Sequence, residues 1–220
     1  MKYRSVFDII GPIMIGPSSS HTAGAVRIGK VARALHGAVP TRAEVTFYGS
    51  FAETYRGHGT DVAIAAGILD FDTYDPRIRD ALKIAAQEGV EIEFLIGDDV
   101  PEHPNTARVR LMTEGTMTEL VGVSIGGGKV EIVEIAGFPI RLSGDLPTII
   151  VRHVDRYGMI AKVAQVLADH RINIAAMHVA RKSRGAEALM TIEVDESPSN
   201  DVLEAVRVID GITSATRLTL

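Results

Sequence analysis

The chain has 220 residues, 46% of them hydrophobic and 23% charged, the balance of a packed globular protein and not of a disordered one. A net charge of −5 and a sequence pI near 5.8 argue against a dedicated nucleic-acid binder, whose contact face is basic. Cysteine is absent, which excludes disulfides, a thiol nucleophile, cysteine-type zinc sites and an iron–sulfur cluster ligated by this chain's own thiolates.

In chain order, the opening Met1-Lys2-Tyr3-Arg4 leads into a mixed segment without the apolar core of a signal peptide. No apolar run reaches the roughly eighteen residues of a membrane span. The expected setting is therefore the cytoplasm, with neither a membrane nor a nucleic acid as partner. The spacing predicts a helix over 22–36 with a small, Ala- and Gly-rich face, stopped by Gly37. A strand over 43–51 follows. The helix predicted over 61–69 has so little polar surface that it must be buried. An amphipathic helix over 77–89 is entered through Pro76. Strands over 108–114, 117–124 and 130–135 make this part a mixed α/β domain whose topology does not follow from the sequence.

The last third has a different texture. A β-branched strand over 148–154 precedes a helix over 158–170. Strands over 173–179 and 186–194 flank the polar turn Arg181-Lys182-Ser183-Arg184-Gly185. A short helix over 201–208, capped by Ser199 or Asn200, leads to a closing strand over 212–220. The order βαββαβ is the plan of ferredoxin-like modules. The expected fold class is thus α/β (α+β), with a first domain over 1–142, a linker over 143–147 and a second domain over 148–220.

Three stretches carry candidate chemistry. Gly16-Pro17-Ser18-Ser19-Ser20-His21-Thr22 stands at a helix start, where backbone N–H groups and the dipole suit a carboxylate or phosphate. Composition alone favours the plainer reading, a loop with Thr22 or Ser20 as N-cap. Tyr48-Gly49-Ser50 precedes Gly57-His58-Gly59-Thr60-Asp61, in which a histidine between glycines is open to a ligand and suited to acid–base work. Asp61 is placed to support that ring, or else Thr60 or Asp61 caps the buried helix. Ser124-Ile125-Gly126-Gly127-Gly128-Lys129 lacks the Ser/Thr and following helix of a phosphate loop, leaving a tight hairpin or a backbone anion nest. The seven histidines show no zinc-type spacing, and His36 and His170 read as surface groups complementing helix C-termini. In the second domain, Asp155-Arg156-Tyr157-Gly158 is either a small-ligand loop or an ordinary strand-to-helix turn.

Taken together, Phe7-Asp8-Ile9, the run from Ile15 to Thr22, Tyr48-Gly49-Ser50, Gly57 to Asp61 and Ser124 to Gly128 resemble the β subunits of bacterial iron–sulfur L-serine dehydratases. Residues 148–220 resemble an ACT domain, an amino-acid-sensing module. That family implies conversion of L-serine to pyruvate and ammonia, with a [4Fe–4S] cluster held by cysteines of a separate α subunit and no metal ligand in this chain. It implies His58 and His21 as catalytic groups, and its first domain resembles an allosteric substrate-binding domain. Ser18, Ser19, Ser20, Thr22, Asp61, Gly126 and Gly127 are then expected at the substrate. Asp155, Gly158 and Asn173 are expected at an ACT effector, although Tyr157 stands where such loops commonly have proline. Expected partners are the α subunit, L-serine or another small amino acid, and a second copy of the chain through the ACT domain. The rival reading is a stand-alone amino-acid-binding regulator without catalysis.

Overall fold

The computed structural model describes residues 12–218. By packing, the chain divides into two compact units, Met1–Ala136 and Gly137–Leu220.

In the first unit a π-helical turn, Ser19–Ala23, leads into α1 (Gly24–His36), and left-handed Gly37 ends that helix by donating its N–H to the Arg33 carbonyl. The chain then forms β1 (Arg42–Tyr48), α2 (Gly49–His58) and α3 (Thr60–Ile68). A 3₁₀ turn (Pro76–Asp80), capped by the Asp75 carboxylate, enters α4 (Ala81–Gln87). Strands β2 (Glu91–Ile96), β3 (Asn105–Thr113), β4 (Thr116–Gly126) and β5 (Lys129–Ile135) follow. Within this unit the strands lie in the order β2-β1-β3-β4-β5; only the β1–β2 pair is parallel. The buried side of the sheet, including Val45, Val109, Leu111, Leu120 and Ile132, is covered by α1 with Ile28, and α3 packs on α1 in turn. As expected from its lack of polar surface, α3 is buried along nearly its whole length.

Two expectations fail here. The strand ends at Tyr48 and not at residue 51, because Gly49 takes φ 54° and turns the chain into a helix that the periodicity did not announce. Helix α2 buries only Phe51, so it has no apolar stripe to read. Strand β2 was likewise not anticipated, being half exposed on an edge.

The second unit opens with β6 (Phe138–Leu142), which packs with β8 and β9 of the module that follows. That module comprises β7 (Thr148–Val154), α5 (Met159–Asp169), β8 (Ile174–Arg181), β9 (Glu187–Val194), α6 (Asn200–Arg207) and β10 (Ile212–Leu218). Its sheet is antiparallel in the order β10-β7-β9-β8, the ferredoxin-like arrangement expected from βαββαβ. The core unites Ile149, Val151, Met190 and Ile192 of the sheet with Val163, Leu167, Val202 and Val206 of the helices.

Candidate active site

The site is built around one imidazole. Ser18 caps the π-helical turn, accepting the His21 backbone N–H at 3.2 Å; it holds the place that the sequence suggested for Ser20 or Thr22. The turn brings Ser20 Oγ to 3.0 Å from His21 Nδ1, with Ser18 Oγ at 3.4 Å from the same nitrogen. Across the ring, Nε2 lies 3.3 Å from the Ser50 hydroxyl, at the start of α2. Phe51 meets the ring edge-on at a centroid distance of 5.3 Å. His58, the last residue of α2, places its imidazole 4.8 Å from that of His21, tilted by 44°. The two histidines assigned from sequence, 37 positions apart, are therefore neighbours.

Their environments differ. His21 is half-buried, and both its burial and the neighbouring His58 hold its pKa below the usual imidazole range. It is neutral at pH 7. His58 is exposed, next to exposed Gly57 and left-handed Gly59, and so is open to a ligand.

The remaining residues fall in three groups. Ser19 is half-buried in the π turn. Thr22 is buried against Gly16, where a Cβ would lie 2.3 Å from its methyl carbon, and its hydroxyl has no partner among the described residues. Asp61 Oδ1 accepts the neighbouring Val62 N–H at 2.9 Å and makes no hydrogen bond to His58, so it does not orient that ring. The helix it begins is capped by Gly59, not by Thr60 or Asp61. Gly126, Gly127 and Gly128 take φ of 99°, 63° and 76° and form the β4–β5 hairpin, whose two central residues need this left-handed geometry. The glycines are explained by the turn itself.

Sequence reasoning missed three hydroxyls. Ser50 contacts His21 directly. Thr60 and Ser124 are fully buried with unpartnered hydroxyls among the described residues. All three lie inside the stretches singled out above, and the signal was the company they keep. His36 also departs from expectation. It is buried, with Nδ1 3.0 Å from Thr118 Oγ1 and Nε2 3.3 Å from Thr113 Oγ1, a tie between α1 and the β3–β4 hairpin. His170 does sit exposed at the end of α5, its ring against the Val166 carbonyl.

In the second unit Asp155 accepts from Arg181 Nη1 at 2.9 Å and from the Gly185 N–H at 3.0 Å; these bonds hold its carboxyl below the usual range. Left-handed Gly158 (φ 83°) caps α5, and exposed Tyr157 precedes it. Asn173 Nδ2 donates to Asp195 at 2.7 Å. The strand register pairs Thr148 with Glu193 and Val154 with Glu187, so Asn173 lies at the opposite end of the sheet from Asp155 and Gly158. The three do not converge within one module.

Fold and site together define a two-part α/β protein that couples a histidine- and serine-lined unit to a βαββαβ module. Residues 5–82 match the serine dehydratase beta chain family and residues 147–211 match the ACT domain. Over 218 residues, 99% of each chain, the sequence is 58% identical to a probable L-serine dehydratase, beta chain, of Bacillus subtilis (strain 168). It is 34% identical over 219 residues, 98% of each chain, to the L-serine dehydratase, beta chain, of Peptoniphilus asaccharolyticus. A shorter match, 33% over 141 residues, covers 59% of this chain and 24% of D-3-phosphoglycerate dehydrogenase 3, chloroplastic, of Arabidopsis thaliana. The chain belongs to the serine dehydratase beta chain family, as its motifs suggested.

Proposed function

We propose that this chain is the β subunit of an L-serine dehydratase, a lyase that converts L-serine to pyruvate and ammonia together with an α subunit. The observation that carries the reading is the His21–His58 pair, two imidazoles 4.8 Å apart among serine hydroxyls, in a chain alike over its full length to named L-serine dehydratase β chains. Loss of water from serine begins with removal of a weakly acidic Cα proton. An exposed imidazole is suited to this, and His58 is assigned that step. His21, kept neutral, acts as hydrogen-bond donor and acceptor toward the carboxylate or hydroxyl of the substrate, with Ser18, Ser19, Ser20 and Thr22 around it. The aminoacrylate released by elimination tautomerises and hydrolyses to pyruvate.

The residues of this chain do not fit a resident iron–sulfur cluster. Its sequence has no cysteine, and no group of three His, Asp or Glu able to hold a metal occurs among the described residues. In this reading a [4Fe–4S] cluster is held by cysteines of the α subunit. The ACT module is assigned to sensing a small amino acid through the Asp155–Gly158 loop and to pairing two copies of the chain, since β10 and β8 leave sheet edges to cover. No helix among the described residues is long and apolar enough to cross a membrane, and the proposed setting is the cytoplasm. A purely sensing protein needs anion donors but no pair of adjacent imidazoles, which disfavours the regulator reading.

Anaerobic co-purification with a cysteine-bearing α subunit, followed by a pyruvate assay on L-serine, tests the proposal. The complex is expected to be active and this chain alone inactive. A stable cluster reconstituted on the isolated chain, or no pyruvate from the complex, defeats it.

A further inference from the structure

Among the described residues, His21 is gripped at both ring nitrogens by hydroxyls and by no carboxylate. A carboxylate only accepts, so it fixes the ring hydrogen on the nitrogen it faces; a hydroxyl donates or accepts. The tautomer of His21 is therefore set by what each hydroxyl does with its other bonds. On the Nδ1 side, Ser18 Oγ already accepts the His21 backbone N–H and lies 3.2 Å from Ser20 Oγ. On the Nε2 side stands Ser50, the one such partner among the described residues.

Ser50 is itself firmly placed. A Cβ at Gly49 would lie 2.7 Å from the Pro104 carbonyl oxygen, so the β1–α2 turn is seated against backbone. Ser50, Thr54 and His58 follow at intervals of four along one face of α2. Thr54 Oγ1 donates to the Ser50 carbonyl at 2.6 Å, which uses its hydrogen within the helix and leaves Nε2 to Ser50.

We propose that Ser50 is a positioning residue for the His21–His58 pair, its hydroxyl on Nε2 holding the ring orientation of His21 and completing the tautomer that the Nδ1 side sets. When Ser20 donates to Nδ1, Nε2 carries the hydrogen and Ser50 accepts it, leaving the Ser50 O–H to donate outward. When Ser50 donates to Nε2, Nδ1 carries the hydrogen and Ser20 accepts. Loss of Ser50 removes the partner that makes these two arrangements complementary. Since burial and His58 both oppose charging of His21, the position of its single ring hydrogen decides how it meets a substrate. The catalytic consequence rests on the dehydratase reading; the contact itself does not.

The test uses Ser50→Ala and Ser50→Thr. In the full chain labelled with ¹⁵N-histidine, Ser50→Ala is expected to shift the His21 ring-nitrogen resonances and change the ratio of its tautomers, and Ser50→Thr to restore them. In the assembled α/β enzyme, Ser50→Ala is expected to lower kcat about tenfold, the worth of one neutral hydrogen bond, with KM within about twofold. Ser50→Thr recovers most of that loss. His21 resonances unchanged in Ser50→Ala overturn the proposal. So does a Thr variant as impaired as Ala, since packing would then be the cause. If the wild-type complex makes no pyruvate, the dehydratase reading falls, and the ring resonances still decide the role of Ser50.

Discussion

In the first unit, helices meet backbone to backbone. A Cβ on Gly67 would lie 2.0 Å from the Val26 carbonyl oxygen, and one on Gly29 2.4 Å from that of Ile64, so α1 and α3 cross with no side chain between them. A Cβ on Gly24 would fall 2.1 Å from the Ser124 hydroxyl. In the second unit, helices α5 and α6 stand on branched side chains, Val163, Leu167, Val202 and Val206, while the left-handed Gly158 and Gly185 face open space. Polar groups differ in the same way. Those of the second unit pair on its surface, as in Arg152–Glu187, Lys182–Glu187 and Arg181–Asp155, contacts worth little singly. The first unit carries such pairs too, as in Lys30–Asp72 and Arg42–Glu93, and in addition gathers serine hydroxyls on one imidazole, Ser50 from a segment far away in sequence. Ser18 and His21 of the π turn meet Ser50 and His58 of α2 within this unit. The second unit is an ordinary core of branched side chains with the Asp155–Gly158 loop at one end of its sheet.

The sharpest way to test this division is His58→Ala. The side chain is exposed at the end of α2, so little packing is lost with it. Removing a positioned base costs about two to four decades in rate. The assembled enzyme is expected to lose activity on that scale with an unchanged melting temperature. Near-wild-type pyruvate formation across neutral pH would show that His58 is not the base.

Gly67→Ala should produce the largest stability effect in the first unit. The added methyl meets the Val26 carbonyl and the Gly29 Cα, both backbone, which cannot rotate away. A loss of about 3 kcal/mol or more follows from overpacking of this kind. Leu167→Ala in the second unit should cost a similar amount, about 2–5 kcal/mol, by the opposite route of leaving a cavity. Denaturant unfolding of both variants checks the pair; a Gly67→Ala variant as stable as wild type would mean that the helices can slide apart.

The second module was legible nearly to the residue, because each of its elements owns a clean apolar period: Met159, Val163 and Leu167 on α5, or Leu189, Met190, Thr191 and Ile192 on a strand buried on both sides. The first unit was legible in α1, α3 and the β3–β4–β5 meander for the same reason. It was not legible in α2, which buries one residue, or in the π turn, whose i to i+5 bond from Gly24 N–H to the Ser19 carbonyl leaves no mark in hydrophobic spacing. Those are the elements that carry Ser18, His21, Ser50 and His58. The histidines were found by motif. Ser18 and Ser20 lay in the same motif as His21, whereas Ser50 depends on three-dimensional proximity across 29 residues, and sequence distance hides that Asn173 and Asp155 occupy opposite ends of one sheet.

Acidification should separate the units more gently. Burial, with help from His58 and Arg33 respectively, holds His21 and His36 below the ordinary imidazole pKa near 6.5. The unfolded chain then binds protons first as pH falls, so the stability of the first unit is full above about pH 6.5 and declines below it. The shifted groups of the second unit are carboxylates, Asp155 and Glu187, both lowered. Their contribution is present above their unfolded pKa, near 4, and is lost only as pH falls through the lower folded values. Opening free energies from amide exchange at pH 7.0 and 5.5 should fall in α1 and α3 and hold in α5 and α6. A parallel decline in both would contradict the assignment.

The smallest effect comes from two glycines that match in everything but location. Gly59 (φ 65°) and Gly158 (φ 83°) are both left-handed, both cap the helix that follows, and a Cβ on either meets nothing within 4 Å. Alanine at each should therefore cost only the backbone term, about 1 kcal/mol, and the two melting temperatures should fall alike. Activity should not. Gly59 immediately follows His58, and strain there is relieved by turning the end of α2, which re-aims the imidazole now 4.8 Å from His21. Gly158 is followed only by α5 of the second unit. Gly59→Ala is expected to lower kcat severalfold in the assembled enzyme, whereas Gly158→Ala leaves turnover without effector unchanged. Equal loss of turnover in the two variants would mean that catalysis depends on general stability and not on the aim of one side chain, and the contrast between the units would lose its functional meaning.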